Sequence, residues 1–513
     1  MQTPTPPARL FSWQYYTHQN YGDALLAEAV RYLFHSFGAG RYFRVADGAD
    51  SRYPIGPRLV EKANTFDAGL IAGGGVIIPR NHDLSGWAFR SDVATARKLR
   101  RTIVFGIGFN LYRNHQGLAP VFKEHFEAVI ENSPFVGMRN HGSIERLKEV
   151  VDKRFHDRIV FQPCPTTFLR HLVDGAGDPA AVPERGRRVT LQVTRSPAEK
   201  DDRVAQQVLE ACRALRAAGY EIELASFFAK FDTPVVDHLR AHGFDDFTFV
   251  EMNTEGRDML RGPRYFSQVP IVVSTRGHGA MVPFGAGSLV VPIDNSPKMV
   301  YFAREVGIQD LLIDVDDPDL GARIVANVER CHDEYDALQE RARKERERLY
   351  GVSLENLARI YRSLTGETPA ESECVPLGEL EVWLSARLHA KTMQLEGRSR
   401  GDGARQELDR RVAREVERQV AGEVDARVAR EMERRVAQEP DRAAVARDWL
   451  RERREELFAR GDDARAKQVR RALEVVTDPA APATPAGRGA RYLRRRLGRE
   501  PRRGDDQQEH ETR

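Results

Sequence analysis

The strongest constraint on the fold is an alternation of short β-branched runs with amphipathic stretches, made in two successive blocks. In the first, LFSWQYY (10–16) precedes DALLAEAVRYLFHSF, and DAGLIAGGGVII (67–78) runs into three glycines. RTIVFGIGF (101–109) is followed by VFKEHFEAVIEN, and PFVGMRN (134–140) leads to GSIERLKEVV. After the Gly/Pro/Arg-rich break DGAGDPAAVPERGRR (174–188) the pattern resumes. VTLQVT (189–194), the helical DRVAQQVLEACRALRAAG, EIELASFF (221–228), VPIVVST (269–275) and SLVVPI (288–293) follow. A long helix from DLGARIVANVE onward closes the block, with SLENLARIYRSL after it. Such alternation predicts mostly parallel sheets with helices on both faces. The expected class is α/β with two Rossmann-like domains, 1–175 and 189–365, joined by a linker at 176–188. In sheets of this kind ligands sit at the carboxyl ends of the strands, so polar residues directly after strands become the candidates.

The chain has 513 residues, enough for two or three domains. Charged residues make up 30% and concentrate beyond Glu367. There we expect a linker (366–404), a charged helical extension (405–475) and a disordered Arg-rich tail (476–513). Within 405–438 apolar residues recur at every fourth position from Leu408 to Val436. At about 100° per residue such a stripe winds around the helix. A left-handed coiled coil is disfavoured; a right-handed one, or a solvated helix, is more compatible. The helix is expected to mediate self-association or partner contact. The tail reads either as a peripheral contact with anionic membrane or as a solvated extension.

The formal net charge of +3 does not call for a nucleic-acid partner. Four scattered cysteines, without CxxC pairs or metal-ligand spacing, fit a reduced compartment rather than a disulfide framework. No apolar leader opens the sequence and no run of about 18 apolar residues occurs. The expected location is cytoplasmic, with peripheral contact at the inner membrane face as an option. No metal or cofactor is expected.

Four places could carry chemistry. Asn20, Gly22 and Asp23 lie in a strand-to-helix turn, which suits either anion binding or simple helix capping. Gly73, Gly74 and Gly75 end a strand, where they permit close approach of a substrate or only a tight exit. Arg139 stands just beyond another strand, able to hold a carboxylate or phosphate or to make a salt bridge; Ser143 reads as the cap of the next helix. The fourth is STRGHGAMVPFGAG, in which Arg276 and His278 leave a strand and only a short helical turn fits before the next one. Lys298, beyond that next strand, can converge on the same edge. Arginine supplies permanent charge and histidine exchanges a proton near neutrality; read alone, the stretch suits a structural turn equally well.

In order and spacing these motifs resemble the polysaccharide pyruvyl transferase family, over roughly residues 10–365. The resemblance rests on N-x-G-D at Asn20–Asp23, the Gly73–Gly75 triplet, the Arg139, Ser143, Leu147 pattern, R-x-H at Arg276–His278, and Lys298 after the next strand. It implies a GT-B-like two-domain fold and a transferase. That enzyme moves the enolpyruvyl carbons of phosphoenolpyruvate onto a sugar as a cyclic ketal, releasing phosphate. The acceptor would be a cell-surface glycan or its lipid-linked precursor. Arg139, Arg276 and Lys298 would then hold the donor, His278 would transfer the proton, and Asp23 would accept a proton from the sugar or orient it. Asn20, Gly22 and the glycine triplet would line the substrate.

The chain departs from the family pattern in three places. Asn140 stands where Asp usually follows the arginine. QPCPTTFL (162–169), with Cys164-Pro165, stands where a D-P pair is common. PIDNSPK keeps Asp294 but lacks the Tyr of a Tyr-Asp pair. Two other readings stay open: a GT-B-like glycosyltransferase using a nucleotide-sugar, and a non-catalytic scaffold acting through its C-terminal helix.

Overall fold

A computed structural model of the chain describes residues 6–378, except 16–18, 52, 79–83, 111–116, 175–177, 179–180, 195–201 and 253–257. The extension at 405–475, its apolar stripe and the tail all lie outside the described residues.

The first block forms β1 (Ala8–Gln14), α1 (Tyr21–Ser36), β2 (Phe43–Asp50), α2 (Pro57–Ala63), β3 (Ala68–Ile77), α3 (Val93–Ala96), β4 (Thr102–Phe109), α4 (Val121–Ile130), β5 (Val136–Met138), α5 (His141–Val150) and β6 (Ile159–Phe161). Its strands make a six-stranded sheet in the order β2-β1-β3-β4-β5-β6. The second block forms β7 (Arg188–Gln192), α6 (Arg203–Ala217), β8 (Glu221–Ser226), α7 (Ala229–Ala241), β9 (Thr248–Glu251), α8 (Arg261–Phe266), β10 (Ile271–Ser274), α9 (Gly277–Ala286), β11 (Leu289–Asp294), α10 (Pro297–Glu305), β12 (Ile313–Asp314), α11 (Leu320–Asp333) and α12 (Tyr335–Thr365). These strands make a second six-stranded sheet, ordered β12-β11-β10-β7-β8-β9. The pairings in both sheets are parallel, as the alternation requires. In β4 every residue is buried, because helices cover both faces of a parallel sheet.

Strand order reverses between β1 and β3 in the first sheet and between β7 and β10 in the second. The turn after β1 and the turn after β10 are therefore both at switch points, and they meet. Tyr21 donates from its backbone N–H to the carbonyl of Phe227, just beyond β8, at 2.9 Å. Its hydroxyl donates to Met259 O (2.6 Å) and accepts from Gly262 N (2.9 Å). Farther along the seam, His141 at the start of α5 hydrogen-bonds Glu305 in α10 at 2.8 Å.

Two features differ from expectation. STRGHGAMVPFGAG contains the ten-residue helix α9, not a short turn, and all ten residues are buried. An all-round buried helix needs no amphipathic pattern; α9 packs against the 3-10 segment Pro165–His171 so closely that a Cβ on Gly285 would stand 2.0 Å from Thr166 O. The closing helix is two helices that break at Glu334, and the second runs on through SLENLARIYRSL to Thr365. Beyond it, Cys374 bridges to Phe37 and Leu377 to Val173, in a stretch the sequence assigns to a linker. One apolar cluster joins the β1/α1 side of the first sheet to the whole second block, while a second covers the first sheet's other face. Among the described residues no helix is long and apolar enough to cross a membrane.

Candidate active site

At the turn after β1, Asn20 is extended and caps α1: its Oδ1 accepts from Gly22 N at 3.2 Å, and its Nδ2 donates to Asp23 Oδ2 at 2.7 Å. Asp23 Oδ1 lies 3.3 Å from His278 Nδ1, and the histidine side chain is only 9% exposed. A Cβ on Gly22 would fall 2.4 Å from the Cβ of His278. Gly22 thus makes room for the histidine of the other sheet. His278 is the second residue of α9, and its Nε2 has no hydrogen-bond partner of good geometry.

Three cations approach the same place. Arg139, directly after β5, is buried and donates from Nη2 to Phe109 O at 3.2 Å, leaving Nε unmatched. Arg276, at the N-cap of α9, donates from Nη2 to Asp232 Oδ1 at 2.9 Å, and its Nε is likewise unmatched. Asp232 is itself fixed, its Oδ2 accepting from Phe227 N and Phe228 N at 2.7 Å each. Lys298, in the first turn of α10, reaches Asn110 Oδ1 at 3.2 Å. Burial, then the charges of Arg139 and Arg276, push its pKa down to about 7. Cations held close enough to discharge one another mark a place suited to an anion.

The histidine titrates in the opposite sense. Burial works against its charge, but the Asp23 carboxylate and, after it, the nearby Cys164 sulfur raise its pKa above the ordinary value. Burial also opposes ionisation of Asp23, yet His278, Arg276 and Lys298 together hold its carboxyl below the usual range. The geometry is a cluster of three cations beside an imidazole held by a carboxylate.

The structure brings together Asp23, Arg139, Arg276, His278 and Lys298. Asn20 and the glycines stand one step back. The space beside Gly73 is taken by Leu26, and a Cβ on Gly75 would lie 2.7 Å from Asn110 Cβ and 3.0 Å from Arg139 Nη2. Gly73 and Gly74 adopt φ of 73° and 93° where the β3–β4 register shifts, a conformation that favours glycine. Their local role is to seat protein side chains. Ser143 is not the cap of α5: Asn140 is, its side chain accepting from Ser143 N at 2.8 Å. Ser143 Oγ instead accepts from Phe109 N at 3.2 Å.

The family model for polysaccharide pyruvyl transferases matches residues 20–297, a span that holds every one of these groups except the adjoining Lys298. The chain belongs to the polysaccharide pyruvyl transferase family. It is accordingly a transferase that serves polysaccharide pyruvylation. Solved structures similar to this family member include a glycosyltransferase from Rickettsia africae ESF-5, at 10% identity over 71% of this chain and 100% of that one, with a TM-score of 0.43. Others are the UDP-GlcNAc 2-epimerase from Neisseria meningitidis bound to UDP-GlcNAc (9%, 65% and 93%, 0.40) and a Thermobaculum terrenum O-GlcNAc transferase mutant (12%, 71% and 69%, 0.39). No curated protein matches the chain.

Sequence reasoning missed Asn110, Asp232 and Cys164. Asn110 is the first residue after β4 and was findable by the same strand-end rule that selected Arg139. Asp232 lies inside α7, where a carboxylate in the first turn looks like ordinary helix chemistry. Cys164 sits after edge strand β6, in the segment that departs from the family's D-P pair.

Proposed function

We propose that this transferase takes phosphoenolpyruvate as donor and forms a cyclic pyruvate ketal on a polysaccharide or its lipid-linked precursor. The observation that carries the reading is the convergence of Arg139, Arg276 and Lys298 beside the His278–Asp23 pair. A donor with both phosphate and carboxylate needs more than one cation, and arginine's fork suits each group. His278 gives its proton to the methylene carbon: an N–H bond breaks, a C–H bond forms, and positive charge develops on the adjacent carbon. The first sugar hydroxyl attacks that carbon and its proton passes to the Asp23–His278 pair. The second hydroxyl then displaces phosphate, which leaves as hydrogen phosphate, and the ring closes. One hydroxyl proton thereby restores the acid and the other departs with the phosphate. A positioned acid of this kind contributes on the order of 10²–10⁴-fold.

The test is phosphate release from phosphoenolpyruvate across a panel of glycans. Release should require an acceptor and vanish in Arg276→Ala. Absence of turnover with every acceptor, together with thermal stabilisation by a nucleotide-sugar but not by phosphoenolpyruvate, would overturn the donor assignment.

A further inference from the structure

Asp232 lies in the first turn of α7 with its side chain only 2% exposed, and its two oxygens serve different neighbours. Oδ2 accepts from Phe227 N and Phe228 N at 2.7 Å each, which steadies the entry to the helix. Oδ1 accepts from Arg276 Nη2 at 2.9 Å and from Gln192 Nε2 at 3.2 Å. All four of these partners are donors, a setting that suits an ionised carboxylate, which can only accept. Gln192, at the end of β7, passes the contact on. Its Oε1 accepts from Ser274 Oγ at 2.9 Å, and Ser274 Oγ accepts from Arg276 N at 3.1 Å. Arg276 is thus held at its backbone by the end of β10 and at its guanidinium by α7, with β7 joining the two holds. The Phe228 ring, 5.9 Å from the guanidinium carbon, adds a third contact. Capping α7 explains one oxygen of Asp232. It does not explain the other, which is given to an arginine from a different strand.

We propose that Asp232 is a positioning residue that sets the guanidinium of Arg276 for an anionic group of the donor. Arg139 and Lys298 approach the same place, and like charges in a buried cleft repel one another. An arginine on a long flexible stem, 16% exposed here, relieves that repulsion by turning its head to water. A fixed carboxylate behind the guanidinium opposes the turn and keeps the fork in place before a ligand arrives, so less order has to be created on binding. Nη2 is spent on Asp232, while Nε has no partner among the described residues, so the fork keeps capacity for a ligand. Asp232 touches no substrate; it acts through Arg276. The proposal rests on the reading of Arg276 as a residue that holds the donor, and inorganic phosphate probes that role without any donor chemistry.

The test is a double-mutant cycle on the full chain, read by calorimetric binding of inorganic phosphate. Asp232→Asn suits it because the amide oxygen can keep the bonds to Phe227 N and Phe228 N, while the NH2 group meets the Arg276 donor head-on. Phosphate affinity should fall about ten- to hundredfold, as for a lost hydrogen bond to a charged group, with little change in melting temperature. In an Arg276→Ala background the same substitution should change affinity no further, because residues that act as one unit are not additive. Unchanged or tighter phosphate binding in Asp232→Asn, or an equal loss in both backgrounds, overturns the proposal. So does a wild type that binds no phosphate. If Asp232→Asn unfolds the chain, Arg276→Lys decides. Asp232 should claim its single ammonium, so phosphate affinity should fall about as far as in Arg276→Ala; survival of most of the affinity overturns the proposal. In turnover, Asp232→Asn should raise donor KM about ten- to hundredfold and leave kcat nearly unchanged. A loss confined to kcat overturns the positioning of a donor-holding group. Failure of phosphoenolpyruvate as donor removes the kinetic arm and the donor assignment, but leaves the phosphate cycle to decide Asp232.

Discussion

The turn after β1 and the turn after β10 are built alike and used differently. Each leaves a strand at a switch point and enters a helix with a glycine in its first turn. The first spends Asn20 on its own helix: the side chain caps α1 and steadies Asp23. The second has no side-chain cap; Arg276 is turned toward Asp232, and His278 toward the opposite turn. On the proposed reading the first turn is a holder and the second carries the proton donor. Glycines divide along the same line, since Gly22 exists for the bulk of His278, while Gly279 lets α9 sit on Gln192 and Ser274, which a Cβ would meet at 2.3 and 2.5 Å.

The comparison breaks most visibly in the second turn. His278→Asn should cost about 10²–10⁴-fold in acceptor-dependent phosphate release with little change in melting temperature; an equal loss from Asn20→Ala would erase the distinction between holder and worker. Gly22→Ala strikes both turns at once. It forces its new carbon onto His278 and should lose about 1–3 kcal/mol of stability along with most activity, read by denaturant titration and turnover together. Asp23→Asn removes one of the groups that raise the His278 pKa, so the alkaline limb of the rate profile should shift to lower pH, with roughly a tenfold drop in kcat at its maximum.

Lys298 gives a subtler handle. Its pKa near 7 means that the empty site loses this charge as pH rises through neutrality, whereas a bound anion restores it. Donor affinity should be full below that pH and decline above it, and binding at mildly alkaline pH should take up a proton, visible by calorimetry in buffers of different ionisation enthalpy. Lys298→Ala should abolish the uptake. The smallest effect is expected from Asn20→Ala: about 1 kcal/mol from the lost cap, seen as a modest fall in melting temperature.

What the sequence disclosed follows burial. The eight strands read from it are the interior ones, whose two covered faces demand continuous apolar runs. The four it missed, β2, β6, β9 and β12, are the edges of the two sheets; covered less completely, they carry residues such as FRVADGAD and TFVE that look like loop. The site divides similarly. Arg139, Arg276, His278 and Lys298 announce themselves because charge directly after an apolar strand is conspicuous. Cys164 follows an edge strand, and Asp232 hides in a helix, so neither had a contrasting background. The glycine triplet also has a backbone reason of its own, namely the left-handed conformation of Gly73 and Gly74 and the space for Arg139 beside Gly75. Asn140 keeps the capping oxygen that an Asp would provide, so that departure from the family pattern leaves α5 intact.

The apolar cluster that runs from Leu10 and Phe34 through Phe168 and Phe284 to Leu357 has a consequence for how the molecule comes apart. Two sheets with separate cores would melt separately, each with its own enthalpy. Here the interior is continuous through α9 and α12, so loosening either sheet exposes surface that the other needs. Calorimetry should see the described region unfold as a single cooperative unit. For His278 beside one sheet and Asp23 beside the other, cooperative folding means that assembly of this pair and formation of the native state are the same event.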